Sequence, residues 1–415
     1  MFKLNSAMKA FRLSTLSRFA RWFWKMESAQ CSQQCDSPLL KLLLNEIESR
    51  GPITVAQYMQ RALTCPGLGY YVRDREHFGD KGDFITSPEV SQLLGEMLAL
   101  WCIHEVSELA HGGPFSVVEL GPGSGKLMLD MLRTFSQFEL TSRLSVHMVE
   151  ISPTLVRRQK ELLCGQLDGR TLFGQPIFWH GSVDDVPNGF SFFVAHEFFD
   201  AMPVHKFKKV GNLWREVLVD KGEGDKLRFC LAPEVTPSQS AYLDNTLTAD
   251  ACDWEVSPAS AIVMQSLVKK ITSFGGAAIV VDYGQDGNGG DTLRAYSSHK
   301  QVDPLSNPGF CDLTADVDFN YLRQQVSDAA YTIGPISQRE FLLNMGMVFR
   351  LERLLQRAKT KEQRDFLKAS YDYLIDPAKM GSRFKMFAVF PKVLQKYLDI
   401  KPPAGFERPT VSQTR

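Results

Sequence analysis

The sequence predicts an α/β protein: a Rossmann-like, mostly parallel central sheet with an N-terminal helical region, an antiparallel β insertion and a C-terminal helical segment. Three observations carry this. Strand-like apolar runs alternate with helical patterns from residue 115 to residue 284, as a parallel sheet requires. A glycine turn in VVELGPGSGKLMLDML, residues 117–132, lies between the first run and its helix. GFSFFVA, residues 189–195, is an unbroken apolar run suited to a strand covered on both faces.

The elements follow in order. Residues 1–26 carry Lys3, Lys9, Arg12, Arg18, Arg21 and Lys25, no acid, and apolar residues at helical intervals, the make-up of a mitochondrial transit peptide. Residues 1–37 are therefore set apart from the fold as transit peptide and linker. Residues 38–110 form a helical and lid region: PLLKLLLNEIESR breaks at Gly51-Pro52, and Thr54 caps a new start. The glycine-rich GDKGDFITSP is a loop and a candidate lid, carrying Asp83, Phe84, Thr86 and Ser87. Ser87 at the N-cap and Pro88 at the first helical position then open a long helix with Leu94, Leu98 and Trp101 on its apolar face.

Residues 111–395 hold the main domain. Its strands are FSVVEL, LSVHMVE, PIFWHGS, GFSFFVA and GGAAIVVDYG, the last preceded by the helical PASAIVMQSLVKKITSF. Two insertions interrupt the rhythm. Residues 203–255 alternate and carry the turn pairs Gly211-Asn212 and Gly224-Asp225, an antiparallel meander. Residues 285–320, rich in Gly, Asp, Ser and Pro, read as a long ordered loop or lid rather than core. Helix returns over residues 348–374, FKMFAVF is the last strand, and residues 396–415 are a flexible tail.

Across 415 residues, 47 basic and 47 acidic side chains cancel, which argues against wholesale nucleic-acid binding. No run reaches the roughly 18 apolar residues of a membrane span. Eight scattered cysteines, without zinc spacing, point to a reducing compartment and no structural metal.

The glycine turn fits neither common nucleotide motif. A phosphate loop, G-x-x-x-x-G-K-[ST], needs glycine where Leu120 stands and a hydroxyl where Leu127 stands. A dinucleotide fingerprint needs glycine at Lys126. What remains is acid-x-G-x-G-x-G, from Glu119 through Gly121, Gly123 and Gly125, which brings bare backbone up to a ligand. It resembles the first motif of S-adenosylmethionine-dependent methyltransferases, where the turn packs against the methionine end of the cofactor and no phosphate is needed.

Ligands of open parallel sheets bind beyond the strand C-termini. Past the second strand, Glu150 can accept both hydroxyls of a ribose. Past the third, Asp184 or Asp185 can take the adenine amino group while the other caps the next helix. Past the fourth come His196, Glu197 and Asp200, polar groups that need a partner at the mouth of an apolar strand. A carboxylate fork of Glu197 first and Asp200 second can orient an arginine guanidinium for attack on a sulfonium methyl. His196, with an ordinary pKa near 6.5, can take the proton released; alternatively His196 and Asp200 cap the following helix. Past the fifth, Asp282 and Tyr283 face the acceptor pocket, with Asp282 equally suited to capping the insertion.

GPITVAQYM, GYYV, GDFITSPEVSQLLGE, VVELGPGSG, AHEFFDAMPVHKF, GGAAIVVDYG, DLTADVDF and MGSRFKMFA together resemble the MidA-like methyltransferases, mitochondrial proteins needed to assemble respiratory complex I. The resemblance spans residues 38–390. It implies a class I methyltransferase fold, S-adenosylmethionine as cofactor and a mitochondrial matrix location. It also implies symmetric dimethylation of an arginine on a core matrix-arm subunit of complex I. The alternative is a non-catalytic assembly chaperone on the same scaffold, for which the two insertions supply surface.

Overall fold

In a computed structural model, five parallel strands occupy the five expected runs: β1 (Phe115–Leu120), β2 (Leu144–Val149), β3 (Ile177–His180), β4 (Ser191–His196) and β5 (Gly276–Gln285). Two more, β6 (Ala330–Ser337) and β7 (Phe384–Pro391), complete the order β6-β7-β5-β4-β1-β2-β3, with β7 antiparallel to both neighbours. The structure describes residues 37–73, 91–110, 112–138, 140, 142–243, 251–287 and 289–406. The transit segment 1–36 and the lid residues Asp83, Phe84, Thr86 and Ser87 lie outside the described residues.

All six residues of β4 are buried, and they divide between the two faces of the sheet. Phe192 and Val194 join one core, Phe193 and Ala195 the other, as the two-residue period of a strand demands. Six helices frame the site: α1 (Pro38–Arg50), α2 (Val55–Thr64), α3 (Gln92–Leu109), α4 (Lys126–Phe135), α5 (Pro153–Leu163) and α6 (Pro258–Phe274). Leu94, Leu98 and Trp101 of α3 and Met128 and Met131 of α4 cover one face. Met264, Leu267 and Ile271 of α6 cover the other. At its N-terminus α2 has a full capping box between Thr54 and Gln57. α3 begins at Gln92 with Ser91 as its cap, four residues beyond the expected start at Pro88.

The meander forms as expected. His205–Val210, Leu213–Lys221 and Leu227–Leu231 run antiparallel, and Gly211-Asn212 closes the Val210–Leu213 pair. Asp253–Val256 and Ile53–Thr54 complete this second sheet.

Four sequence expectations need correction. The described part of the expected tail, residues 396–406, is docked: Gln395–Ile400 is a helix, and Leu398 and Phe406 are buried in the first core, Phe406 against Phe341. Residues 285–320 are not loop: Arg294–Ser297, Lys300–Val302 and Asp312–Thr314 make a three-stranded sheet. Its Ala295 and Leu313 pack with Leu43 of α1 and Tyr58 of α2 in a third core. Strands of three or four residues are too short to show a period among glycines and prolines. β6 was not expected at all, because Gly334-Pro335 interrupts it; the pair sits at a register shift between Ile333 and Ile336 on the sheet edge, where a missing N–H costs least. Finally, the C-terminal helical stretch is two helices, Met347–Arg357 and Lys361–Ile375, the second opened by a Thr360–Gln363 capping box.

Candidate functional site

A cleft of about 1100 Å³ opens at the C-terminal ends of β1, β2, β4 and β5. The glycine turn forms its floor. Gly121 and Gly123 take φ of +59° and +52°, left-handed backbone that a side chain resists. At Gly121 a Cβ would also stand 2.7 Å from the Phe198 ring, so the bare position lets that ring close over the turn. Gly125, at φ +81°, is the N-cap of α4.

Glu119 and Glu150 flank the turn. Glu119 is 3% exposed, its Oε2 has no hydrogen-bond partner among the described residues, and burial followed by repulsion from Glu150 pushes its carboxyl well above the usual range. Glu150 accepts the backbone N–H of Ser152 at 2.8 Å and the Gln159 amide at 3.2 Å. Burial nevertheless raises its pKa to about 7.

That shift has a measurable sign. The folded pKa lies above the ordinary 4.5, so the stability Glu150 contributes is full below pH 4.5 and is lost as pH rises through about 7. The linkage is on the order of 3 kcal/mol. We expect the cofactor-free protein to melt at lower temperature as pH rises across this window, and Glu150→Gln to flatten that slope. Thermal melts across the window check it, and parallel slopes would contradict it.

The loop after β4 carries the other carboxylates. Glu197 has φ +48°, a left-handed non-glycine residue, and its N–H donates to Val281 O at 3.0 Å. Its Oε1 lies 3.5 Å from His196 Nε2, and its side chain is 8% exposed. Asp200 accepts the Tyr283 hydroxyl at 2.5 Å and the Thr314 hydroxyl at 2.8 Å through Oδ2, while its buried Oδ1 has no partner among the described residues. Burial raises its pKa.

Two expected roles change. His196 is buried and stacked on Phe384, and desolvation lowers its pKa to about 3, so the ring is neutral and does not take a proton on the strength of an ordinary pKa. Asp282 neither lines the cleft nor caps the insertion. Fully buried, its Oδ2 accepts the N–H groups of Phe198, Phe199 and Asp200 at 3.0–3.3 Å, pinning the loop from beneath. Tyr283 does line the cleft. Asp184 and Asp185 are exposed and outside the cleft lining. Asp185 holds a turn by accepting the Ser182 N–H and hydroxyl at 3.1 Å; the next element is β4, so it caps no helix.

The sequence reading missed the far wall, where Tyr71, Tyr296, Asp312 and Thr314 come from the N-terminal region and the three-stranded sheet. It also missed Gln159. Its signal was a polar residue at i+4 between Leu155 and Leu163 on the buried stripe of α5.

Altogether the described residues of the cleft lining include five carboxylates, Glu119, Glu150, Glu197, Asp200 and Asp312, and among the described residues no Lys or Arg. Such a lining suits a cationic ligand. Among the described residues no group of three or more His, Cys, Asp or Glu has metal-binding geometry, and no helix is long and apolar enough to cross a membrane.

The comparisons agree with this geometry. Residues 97–336 match the family described as "Putative S-adenosyl-L-methionine-dependent methyltransferase". The chain belongs to this family. It is 42% identical over 406 residues to "Protein arginine methyltransferase NDUFAF7, mitochondrial" of Xenopus tropicalis, covering 92% of this chain and 94% of that one. To the Homo sapiens protein of the same name it is 45% identical over 373 residues, 86% and 84% of the two chains. A COG1565 superfamily member from Burkholderia thailandensis, solved bound to S-adenosyl-homocysteine, superposes with TM-score 0.74 at 27% identity, covering 92% of this chain and 96% of that one. The methyltransferase's cofactor is S-adenosyl-L-methionine, and the residues fit it: a turn of left-handed glycines at the cleft, buried oxygens unpartnered among the described residues and an acidic lining for a sulfonium.

Proposed function

We propose that the chain is a mitochondrial matrix protein-arginine methyltransferase that symmetrically dimethylates an arginine of a core matrix-arm subunit of complex I. The observation that carries the acceptor class is the five carboxylates that the described residues bring to the cleft lining. The names of the relatives support arginine as acceptor and the mitochondrion as compartment. The basic N-terminal segment supports import.

In this reading Gly121, Gly123 and Gly125 receive the methionine end of the cofactor, Glu119 faces it, and Glu150 accepts the ribose hydroxyls. S-adenosylmethionine supplies an electrophilic methyl group on a sulfonium. Glu197 and Asp200 grip the guanidinium through charge-assisted hydrogen bonds, which fixes the attacking nitrogen and excludes water from it. Tyr283 and Thr314 hold one oxygen of Asp200 and leave the other for the acceptor. Asp282 keeps the loop that carries both acids in place.

The test is mass spectrometry of complex I subunits from cells with and without this protein. The expected result is one arginine that is symmetrically dimethylated only when the protein is present. An unchanged arginine-methylation pattern, with assembly still dependent on the protein, would favour the chaperone.

A further inference from the structure

We propose that Gln159 is a positioning residue for cofactor binding, a single amide that locks the glycine turn to the ribose-binding carboxylate and holds Glu150 ready to accept. The inference rests on the reading of Glu150 given above.

Gln159 is fully buried, and both of its donors and one acceptor site of its oxygen are committed to three neighbours. The Trp179 indole N–H, on β3, donates to its Oε1 at 2.9 Å. Its Nε2 donates to Gly123 O at 2.8 Å and to Glu150 Oε2 at 3.2 Å. An indole nitrogen can only donate, so the amide oxygen must face Trp179 and the NH₂ must face the turn and the acid. The opposite orientation would set an acceptor against a carbonyl and a carboxylate. Trp179 therefore fixes which end of Gln159 meets Glu150.

The amide also spaces the turn. A Cβ at Gly125 would lie 3.3 Å from Gln159 Cγ, so the stem of Gln159 packs directly under the third glycine. One side chain on α5 thus reaches the ends of β1, β2 and β3. With Gln159 on Oε2 and Ser152 N–H on Oε1, each oxygen of Glu150 keeps a lone pair for a ribose hydroxyl.

The groups around Glu150 set the direction of the test. Burial disfavours the charge of Glu150, and the Ser152, Gln159 and Ile151 donors favour it; Glu119, on β1, is itself pushed up by the charge of Glu150. On α5, Lys160 lies over the Trp179 ring at 5.2 Å. Ribose hydroxyls need an ionised acceptor, so affinity in the unaltered protein should rise as Glu150 loses its proton.

The experiment is calorimetric titration of the full chain with S-adenosylhomocysteine between about pH 6 and about pH 8, bracketing the titration of Glu150. Gln159→Glu keeps the shape but opposes two carboxylates that then share a proton. Its affinity is expected to fall with rising pH, the reverse of the unaltered protein, reaching a roughly ten- to hundredfold deficit at the upper end. Gln159→Met keeps the volume and drops both donors; its binding midpoint should move to higher pH. Glu150→Gln is measured beside them. If Glu150→Gln binds normally, the ribose reading fails. If it binds weakly while both Gln159 variants, shown folded by circular dichroism, follow the unaltered pH profile, the positioning role is overturned.

Discussion

Gly123→Val is expected to abolish measurable binding of S-adenosylmethionine in a protein that still folds. Residue 123 sits at φ +52° and lines the cleft, and its carbonyl accepts the Gln159 amide. A β-branched residue in that backbone region costs about 1–3 kcal/mol. The chain relieves the strain by leaving the conformation, which withdraws the carbonyl from Gln159 and the backbone from the cofactor. A combined loss of about 3 kcal/mol or more is a hundredfold or greater fall in affinity. The fold should survive, because β1 ends at Leu120 and its pairing with β2 and β4 does not pass through the turn. Calorimetry with the cofactor, together with a thermal melt, is the measurement. Binding within a few-fold of the unaltered protein would show that the turn is not part of the cofactor site.

Contrast Gly276, where a Cβ would stand 1.9 Å from Ser191 O inside the β4–β5 pairing. Glycine is needed there to bring strands together. At residue 123 it supplies a left-handed turn, which the proposed cofactor site uses. The two kinds of glycine look alike in a sequence, and only the acid-x-G-x-G-x-G spacing after an apolar run marked the second.

What was legible in the sequence were features with a long period or a local signature. The five parallel strands are near-continuous apolar runs, and their ends point to the cleft by the general rule for open sheets. Thr54 announced its helix through a capping box, and Gly211-Asn212 announced its hairpin. What was not legible depends on residues far apart in the chain. Asp282 was visible as an acid after a strand, but its task of receiving three N–H groups is set by a loop more than 80 residues earlier. Thr314 and Asp312 join the site only because a small sheet, without readable periodicity, folds back against α1 and α2. The low pKa of His196 comes from burial, and burial is a property of the packed molecule. Even the strongest missed signal, Gln159 on an apolar stripe, gave a position and no partner.

Glu197→Gln is expected to lower methyl transfer by roughly 10²–10³-fold while leaving cofactor affinity within about threefold, the range seen when one preorganised charge partner is removed. The residue is held where it is by cost and compensation. Its left-handed backbone, at φ +48°, costs about 1–2 kcal/mol. That cost is offset by the bond from its N–H to Val281 O and by the three following N–H groups that converge on Asp282. A loop so pinned does not relax when one side chain changes, so the isosteric amide should occupy the same place. What changes is chemistry: one oxygen becomes an NH₂ group, which turns a donor toward the donors of a guanidinium and removes the charge that fixes it. His196 cannot compensate, because burial keeps its ring neutral. Glu150 and the glycine turn are untouched, so the cofactor should bind as before. Single-turnover methyl transfer to the proposed complex I subunit, paired with calorimetry, separates the two effects. Full transfer by Glu197→Gln would remove this carboxylate from the acceptor site, and equal loss of transfer and of cofactor affinity would place it with the cofactor instead.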